Sequence, residues 1–207
     1  MQSTVQLFNI ALARLGGDQF LPLVSPQEVG ALGALCGNVF PHVLDRALQA
    51  HAWGFALRTA VLAPVAGAVP GAGGFRCRYT VPADCVRPVA LEGWEANRSP
   101  AYAVRGSAEG AVLLCDENPA VLAYVARESD PKRWPAGFAD ALAWGLAAEL
   151  ATARINDPQR QQYYMRMYRE VLGEAATQDV REVNPRPMLS AWNAARFGEC
   201  GEAGGER

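Results

Sequence analysis

Residues 51–61, HAWGFALRTAV, mark the point where the chain changes from the periodicity of a helix to that of a strand. Before this stretch, apolar residues recur every three or four positions, the spacing of one helix face. They are Val29, Leu32, Leu35, Val39, Val43, Ala47 and Leu48. Within the stretch, large or β-branched side chains occupy alternate positions from Trp53 to Val61, as in a half-buried strand. The sequence therefore predicts a long helix that leads into a sheet.

The start of the chain predicts two helices in succession. Val5, Phe8 and Leu12 fall at helical spacing, and the glycine pair at 16–17 is expected to end that first helix. Residues 25–28, SPQE, match a capping box for the long helix, with serine at N-cap, proline at N1 and glutamate at N3. Pro41 lies inside the long helix and is expected to kink it.

Strand patterns fill the middle of the chain. The predicted strands cover residues 75–81, 86–91, 102–105, 111–115 and 121–128, and residues 106–110 predict a hairpin turn. The helical period returns after Asp130-Pro131, with an alanine-rich helix up to about residue 153 and another helix that starts at Pro158. Small side chains on the alanine-rich helix favour close approach of its neighbours.

These patterns predict a mainly α protein with a small inserted antiparallel β-sheet (α+β), built as a helical bundle core plus an extended C-terminal tail. The predicted domains are a discontinuous helical domain (1–53 and 130–177), a small β domain inserted at 54–129, and a C-terminal tail (178–207).

Composition limits the classes of function. The 207 residues carry a net charge of -2, which argues against a dedicated nucleic-acid binder, since such proteins usually show a basic surface. Lys132 is the only lysine, so nearly all positive charge is arginine. No apolar run approaches the ~20 residues that span a bilayer, and the N-terminus lacks the pattern of a signal peptide. We therefore expect no membrane partner, assembly in a cytoplasm, and free thiols at all five cysteines.

The residues that could carry chemistry do not assemble into a recognisable catalytic, metal or cofactor site. His42 and His51 would lie about 180° apart around one helix, so they cannot share a metal ion there. Cys77 lies on the apolar phase of its strand and is expected to be an inert buried thiol. Among the cysteines, Cys85 is the best candidate for a nucleophile. Glu149 lies among alanine and leucine, so we expect it to pair with an arginine.

Three arginines leave nucleic-acid binding open as an alternative. Arg76, Arg78 and Arg87 are predicted on or near one sheet, where they could contact phosphates, although an ordinary solvent-exposed sheet face is the better explanation.

The order of the motifs along the chain resembles the tail tubular protein A family of phage head-to-tail adaptors. The matching stretches are 9–16 (NIALARLG), 51–56 (HAWGFA), 79–87 (YTVPADCVR), 122–125 (LAYV), 134–138 (WPAGF), 146–151 (LAAELA) and 190–196 (SAWNAAR). Val81 and Gly54 depart from the commoner residues of the family, at positions without a known chemical role. The residues that the resemblance marks as fold-defining are Trp53, Phe55, Tyr79, Pro82, Asp84 and Arg87.

The resemblance implies a structural virion protein and not an enzyme. It implies a homo-dodecameric ring at the head-tail junction, with the portal protein above, the tail nozzle or another tail protein below, and DNA passing through the lumen without specific binding. The alternatives are another head-completion protein, a tail terminator (a hexamer), a cysteine-dependent hydrolase that uses Cys85, and a small DNA-binding module.

Two narrower expectations accompany this interpretation. The first is that Pro187, Leu189, Trp192 and Arg196 dock the tail on the portal or on a neighbouring subunit, because Trp and Arg are enriched at interface hot spots. The second is an acidic lumen, since about twelve copies at -2 give a ring roughly -24 in charge.

Overall fold

The computed structural model describes residues 3–16, 31–65, 74–92, 100–107, 110–154 and 158–182. These residues form four α-helices, six β-strands and two short 3-10 turns. The helices are α1 (Thr4–Arg14), α2 (Ala31–Ala50), α3 (Ala136–Arg154) and α4 (Pro158–Glu182). The strands are β1 (Leu57–Val61), β2 (Cys77–Thr80), β3 (Cys85–Glu92), β4 (Tyr102–Ser107), β5 (Gly110–Cys115) and β6 (Val121–Ala126).

Helix α3 lies at the centre of the helical part. Helices α1, α2 and α4 each contact it. Buried side chains occur on every side of α3, as expected for a helix surrounded by protein. They are Phe138, Ala139, Ala141, Leu142, Ala143, Leu146, Ala147, Ala148, Leu150 and Ala151. The alanines keep this helix narrow, so three neighbours can approach it at once.

Gly145 is the tightest point of this packing. A Cβ atom added to it would lie 2.9 Å from Cγ1 of Val43 on α2 and 3.0 Å from the ring of Tyr168 on α4. One turn further along α3, Glu149 accepts a hydrogen bond from Arg46 of α2 at 2.7 Å. The expectation that Glu149 pairs with an arginine is confirmed.

Helix α2 ends at Ala50, and Trp53 caps a short turn that leads into strand β1. The Trp53 indole Nε1 donates to the carbonyl of Ala47 at 2.9 Å, and its ring contacts Phe138 of α3. Residues 54–56 form a 3-10 turn, and β1 starts at Leu57. The prediction that Trp53 and Phe55 belong to the strand is therefore wrong, because packing against α3 outweighs the local alternation.

The strands form two three-stranded antiparallel sheets. We call β1-β6-β3 the inner sheet and β2-β5-β4 the outer sheet. The chain after β1 connects the two, since the amide of Val65 donates to the carbonyl of Arg78 and the amide of Thr80 donates to that of Ala63, both at 2.9 Å. Strands β4 and β5 form the predicted hairpin, whose last paired residues are Ser107 and Gly110.

The inner sheet is shared between two hydrophobic cores. Val125 of β6 belongs to the core of the helices, and Val86 and Val89 of β3 pack against that core. Leu122 and Tyr124 point the other way, into a second core between the two sheets. The molecule is therefore layered as helices, inner sheet and outer sheet.

This architecture contradicts the predicted fold class. The protein is α+β, but it is not a helical bundle with a small inserted sheet, because two three-stranded sheets with their own core make up the middle of the chain. Helices α1, α2 and α4 all pack on α3, and α2 also packs on the inner sheet. The bundle prediction failed because helical spacing alone does not show which element covers each apolar face.

Several expectations fall outside the described residues. The capping box at 25–28 and the tail residues Pro187, Leu189, Trp192 and Arg196 are among them. Helix α4 continues to Glu182, four residues beyond the predicted start of the tail at 178. The first helix does carry a capping box, formed by Ser3 and Gln6.

The contact at Gly145 makes a stability prediction. We expect Gly145→Ala to destabilise the fold by about 1–3 kcal/mol, because the new methyl group overlaps buried side chains that cannot move away freely. Gly173→Ala on α4 is the matched control, since a Cβ there meets nothing within 4 Å. It should stabilise the protein by about 0.5–1 kcal/mol through helix propensity. Urea unfolding of both variants measures the difference, and equal effects would contradict the packing argument.

Candidate functional site

A polar network joins the inner sheet to the start of the helical segment that contains α3. We call Arg58, Asp84, Tyr124, Glu128 and Arg133 the junction network. Glu128 is the one charged residue among the described residues that is classed as buried, at 6% exposure. Its Oε2 accepts from Arg58 at 3.3 Å and from Arg133 at 3.1 Å.

The backbone around Glu128 is bound as well. Its Oε1 accepts from the amide of Asp130 at 3.1 Å, and its carbonyl accepts from the buried indole of Trp134 at 2.9 Å. Both carboxylate oxygens of Glu128 and its backbone carbonyl therefore accept hydrogen bonds. Such an arrangement holds the turn after β6 in one shape, because a buried carboxylate without these donors would cost several kcal/mol.

Asp84 occupies the other end of the same network. It accepts from Arg58 at 2.9 Å and from the hydroxyl of Tyr124 at 3.2 Å. Its carbonyl accepts from the amide of Arg127 at 2.8 Å, which ties the turn before β3 to the end of β6. Burial is the main cause of a raised pKa at Tyr124, and the nearby Asp84 carboxylate adds to it.

The other residues marked by the family resemblance lie at two separate places. The Tyr79 hydroxyl donates to the carbonyl of Glu117 at 2.8 Å inside the β part, and Pro82 accepts from the amide of Cys85. Arg87 instead reaches the helices, where it donates to the carbonyl of Gln49 at 3.2 Å near the end of α2. Trp53 and Phe55 pack beside Phe138. These six residues form links between elements, and the structure does not bring them into one pocket.

Asp179 of α4 makes a second link to the same junction. Its carboxylate accepts from the backbone amide of Gly54 at 3.1 Å and lies 3.1 Å from Nε2 of His51. The His51 ring packs edge-on against Trp53. The end of α2, the start of β1 and the last turns of α4 are thereby held together.

The candidate nucleophile is poorly suited to catalysis. Cys85 is half-buried, and burial together with the neighbouring Asp84 carboxylate raises its pKa to about 11. A thiol with that pKa stays protonated at neutral pH and is a weak nucleophile. Within the described ranges no three His, Cys, Asp or Glu side chains come close enough to hold a metal ion.

The three arginines considered for nucleic-acid binding do not share a sheet. Arg78 lies on β2 in the outer sheet and Arg76 directly precedes that strand, whereas Arg87 lies on β3 in the inner sheet. The prediction that they lie on or near one sheet is wrong. It failed because adjacent strands in the sequence belong to different sheets.

Exposed apolar side chains contribute to two surfaces, and Val104 on β4 and Val180 on α4 are exposed elsewhere. The edge patch consists of Leu57 and Val61 on β1, an edge strand of the inner sheet, with 44% and 70% exposure. The helical patch consists of Ile10, Trp144 and Tyr163, of which Ile10 and Tyr163 are 40% and 47% exposed. Its centre is stiffened by Arg14, which lies 4.0 Å above the Trp144 ring and also pairs with Asp140.

Sequence reasoning missed the junction network apart from Asp84, and it missed Asp179 entirely. Glu128 was predicted as the end of a strand, and its burial depends on Arg58 and Arg133, which are 70 and 5 residues away. A signal was nevertheless present, since Glu128 follows the apolar run 121–126 by two positions, where a strand leaves the core.

Comparison with protein-family models and with curated proteins gives no match for this chain. None of the helices in the described ranges combines the length and the apolar character that crossing a bilayer requires. The family resemblance therefore depends on the motifs and their order alone.

Removal of the Glu128 side chain tests the network. We expect Glu128→Ala to lower the free energy of unfolding by about 1–3 kcal/mol, because the amide of Asp130 loses its acceptor and the apolar stem leaves a gap. Arg58 and Arg133 are partly exposed, so water can solvate them. Asp45→Ala removes a more exposed pair with Arg127 and should cost less than about 1 kcal/mol. Denaturant unfolding compares the two variants, and an equal cost would show that burial of Glu128 adds nothing.

Alkylation tests the thiol of Cys85. Its pKa lies at about 11 instead of 9.0, so at pH 8 iodoacetamide should modify it about 100-fold more slowly in the folded protein than in the unfolded chain. The folded protein binds the proton more tightly, so this thiol stabilises the fold below pH 9, and the contribution is lost as the pH rises towards 11. Peptide mapping after timed alkylation measures the rates. Fast modification at pH 8 would restore Cys85 as a candidate nucleophile.

Proposed function

We propose that this protein is a phage head-to-tail adaptor, a structural virion component that forms a ring of about twelve copies between the portal and the tail. The order of motifs from residue 9 to residue 196, which resembles the tail tubular protein A family, is the observation that carries this proposal. The proposed partners are further copies of the chain, the portal protein above, and the tail nozzle or another tail protein below. DNA would pass through the lumen without specific binding.

The two exposed apolar surfaces support a ring. A closed ring needs heterologous contacts, in which one face of each copy meets a different face of the next. The edge patch lies on a strand of the inner sheet, and the helical patch lies on α1, α3 and α4. They are therefore two chemically similar but structurally distinct surfaces, as such a contact requires. We propose that the edge patch of one copy packs on the helical patch of its neighbour.

The junction network supports the same role. A ring that connects two assemblies must keep its helical and β parts in a fixed relative position. Arg87, Glu128 and Asp179 each make a hydrogen bond that joins the two parts. These contacts favour a rigid connector over a module that opens and closes around a substrate.

The cysteine-hydrolase alternative receives less support from the site. The pKa of Cys85 is raised to about 11, whereas a catalytic cysteine is usually activated by a lowered pKa. The DNA-binding alternative needs a continuous basic surface, and Arg76 and Arg78 lie on a different sheet from Arg87.

The stoichiometry on purified portal of the same phage tests the proposal. We expect native mass spectrometry and electron microscopy of the mixture to show about twelve copies as a ring at one end of the portal. Val61→Arg should prevent ring closure, because it places a charge in the edge patch at its most exposed residue, where desolvation on contact is costly. Val104→Arg on β4 is the matched control, since Val104 is also exposed but lies in the outer sheet, and it should leave the ring intact.

Other outcomes separate the alternatives. Binding of six copies, or binding to tail tube but not to portal, would replace the adaptor with a terminator. A ring that forms equally well with Val61→Arg would keep the adaptor but reject the edge patch. A chain that ends at Asn184 tests the tail in the same mixture. If it binds portal as well as the full chain does, the role of Pro187, Leu189, Trp192 and Arg196 is rejected.

A further inference from the structure

We propose that Cys77 and Cys115 form a cross-strand disulfide when the protein meets an oxidising thiol-disulfide pool. The two residues are directly opposite each other in the pairing of β2 with β5. Both are free thiols in the reduced protein described here. The inference concerns this pair alone and does not depend on the proposed function.

The main-chain pattern fixes the separation of the pair. The carbonyl of Arg78 and the amide of Thr80 bond to residues 65 and 63, on the side away from β5. Because the main-chain groups of neighbouring strand residues face opposite sides, those of Cys77 and Tyr79 face β5. Cys77 and Cys115 are therefore a hydrogen-bonded pair, for which the Cα atoms lie about 5.5 Å apart. Disulfides span Cα separations of about 4.4–6.8 Å, so the backbones are already within range.

The side chains of the pair share one face of the outer sheet. Cys115 is wholly buried in the core between the sheets, and Cys77 packs against that core while it keeps partial exposure. Opposite Cβ atoms in a hydrogen-bonded antiparallel pair lie about 5.5 Å apart, and a disulfide needs about 3.5–4.5 Å. Closure thus requires an approach of about 1–2 Å.

The position of the pair makes that approach feasible. Cys77 is the first residue of β2 and Cys115 is the last residue of β5, so the pair is the final rung of the ladder. Beyond it, the two chains are joined by the amide of Arg76, which donates to the Asp116 carboxylate at 2.9 Å. The end of a ladder opens more easily than its middle, and this gives both the movement and the access that an oxidant needs.

Oxidised glutathione is a suitable oxidant, and the exchange balances. The more exposed Cys77 attacks as thiolate, the glutathione disulfide breaks, and one glutathione leaves. Cys115, whose thiol donates to the carbonyl of Glu117 at 3.8 Å and whose pKa burial raises, then loses its proton and attacks the sulfur of Cys77. The mixed disulfide breaks and the second glutathione leaves. Two protein thiols are oxidised, one glutathione disulfide is reduced to two thiols, and the protein protons go to the released glutathiones.

The experiment titrates the full-length protein with mixtures of oxidised and reduced glutathione, blocks free thiols, and maps the peptides without reduction. We expect a linked pair of peptides that contain Cys77 and Cys115, and a melting temperature that rises by several degrees and returns after reduction, because the cross-link limits the unfolded chain. Cys85→Ser is the matched control, since it removes another half-buried thiol and should leave the link intact. Cys77→Ser should abolish both the link and the change in melting temperature.

Three results would overturn the proposal. One is an equilibrium mixture in which Cys77 is linked to glutathione while Cys115 remains a free thiol. Another is linkage of either residue to Cys36, Cys85 or Cys200. The third is full retention of both free thiols under a strongly oxidising mixture. Mapping of the unsubstituted protein decides among these even if Cys77→Ser folds poorly.

Discussion

Strand β6 has to be buried on both faces, and most of the architecture follows from that constraint. Val125 belongs to the core of the helices, whereas Leu122 and Tyr124 belong to the core between the sheets. Helices must therefore cover one face of the inner sheet and the outer sheet must cover the other. The polar links cluster around the end of this strand because a strand buried on both faces leaves few places where charged side chains can reach water.

The sequence predicted the elements better than their arrangement. Helix and strand periods are local, so α2, α4 and most of the strands could be predicted from spacing. The local alternation of apolar residues predicts a strand at Trp53. The contacts with Ala47 and Phe138 that keep Trp53 out of the strand do not show in that spacing. Glu149 could be predicted to pair with an arginine because a lone carboxylate in an apolar helix needs a cation. Glu128 could not, since a carboxylate at the end of a strand is commonly solvated and its sequence neighbours do not show that it is buried.

The links at the junction are of different chemical kinds, which would matter for the proposed connector. Arg58 bridges two carboxylates from different turns, Arg87 binds a helix carbonyl, and Asp179 binds a backbone amide. Contacts to backbone groups do not need a charged partner, whereas exposed ion pairs are weakened by salt. A junction that uses both kinds keeps its geometry over a wider range of conditions than one built of exposed ion pairs alone.

The bond between Asp179 and Gly54 also defines how mechanical load passes through the molecule. Asp179 lies three residues before Glu182, where the described part of α4 ends, and it holds the backbone immediately before β1. A pull applied at the end of the described part of α4 would therefore act, within one helical turn, on the backbone that leads into β1, in addition to the packing of α4 on α3. Because His51 shares the same carboxylate, the force also reaches the end of α2. The anchor point of the C-terminal segment is thus braced on two elements at once.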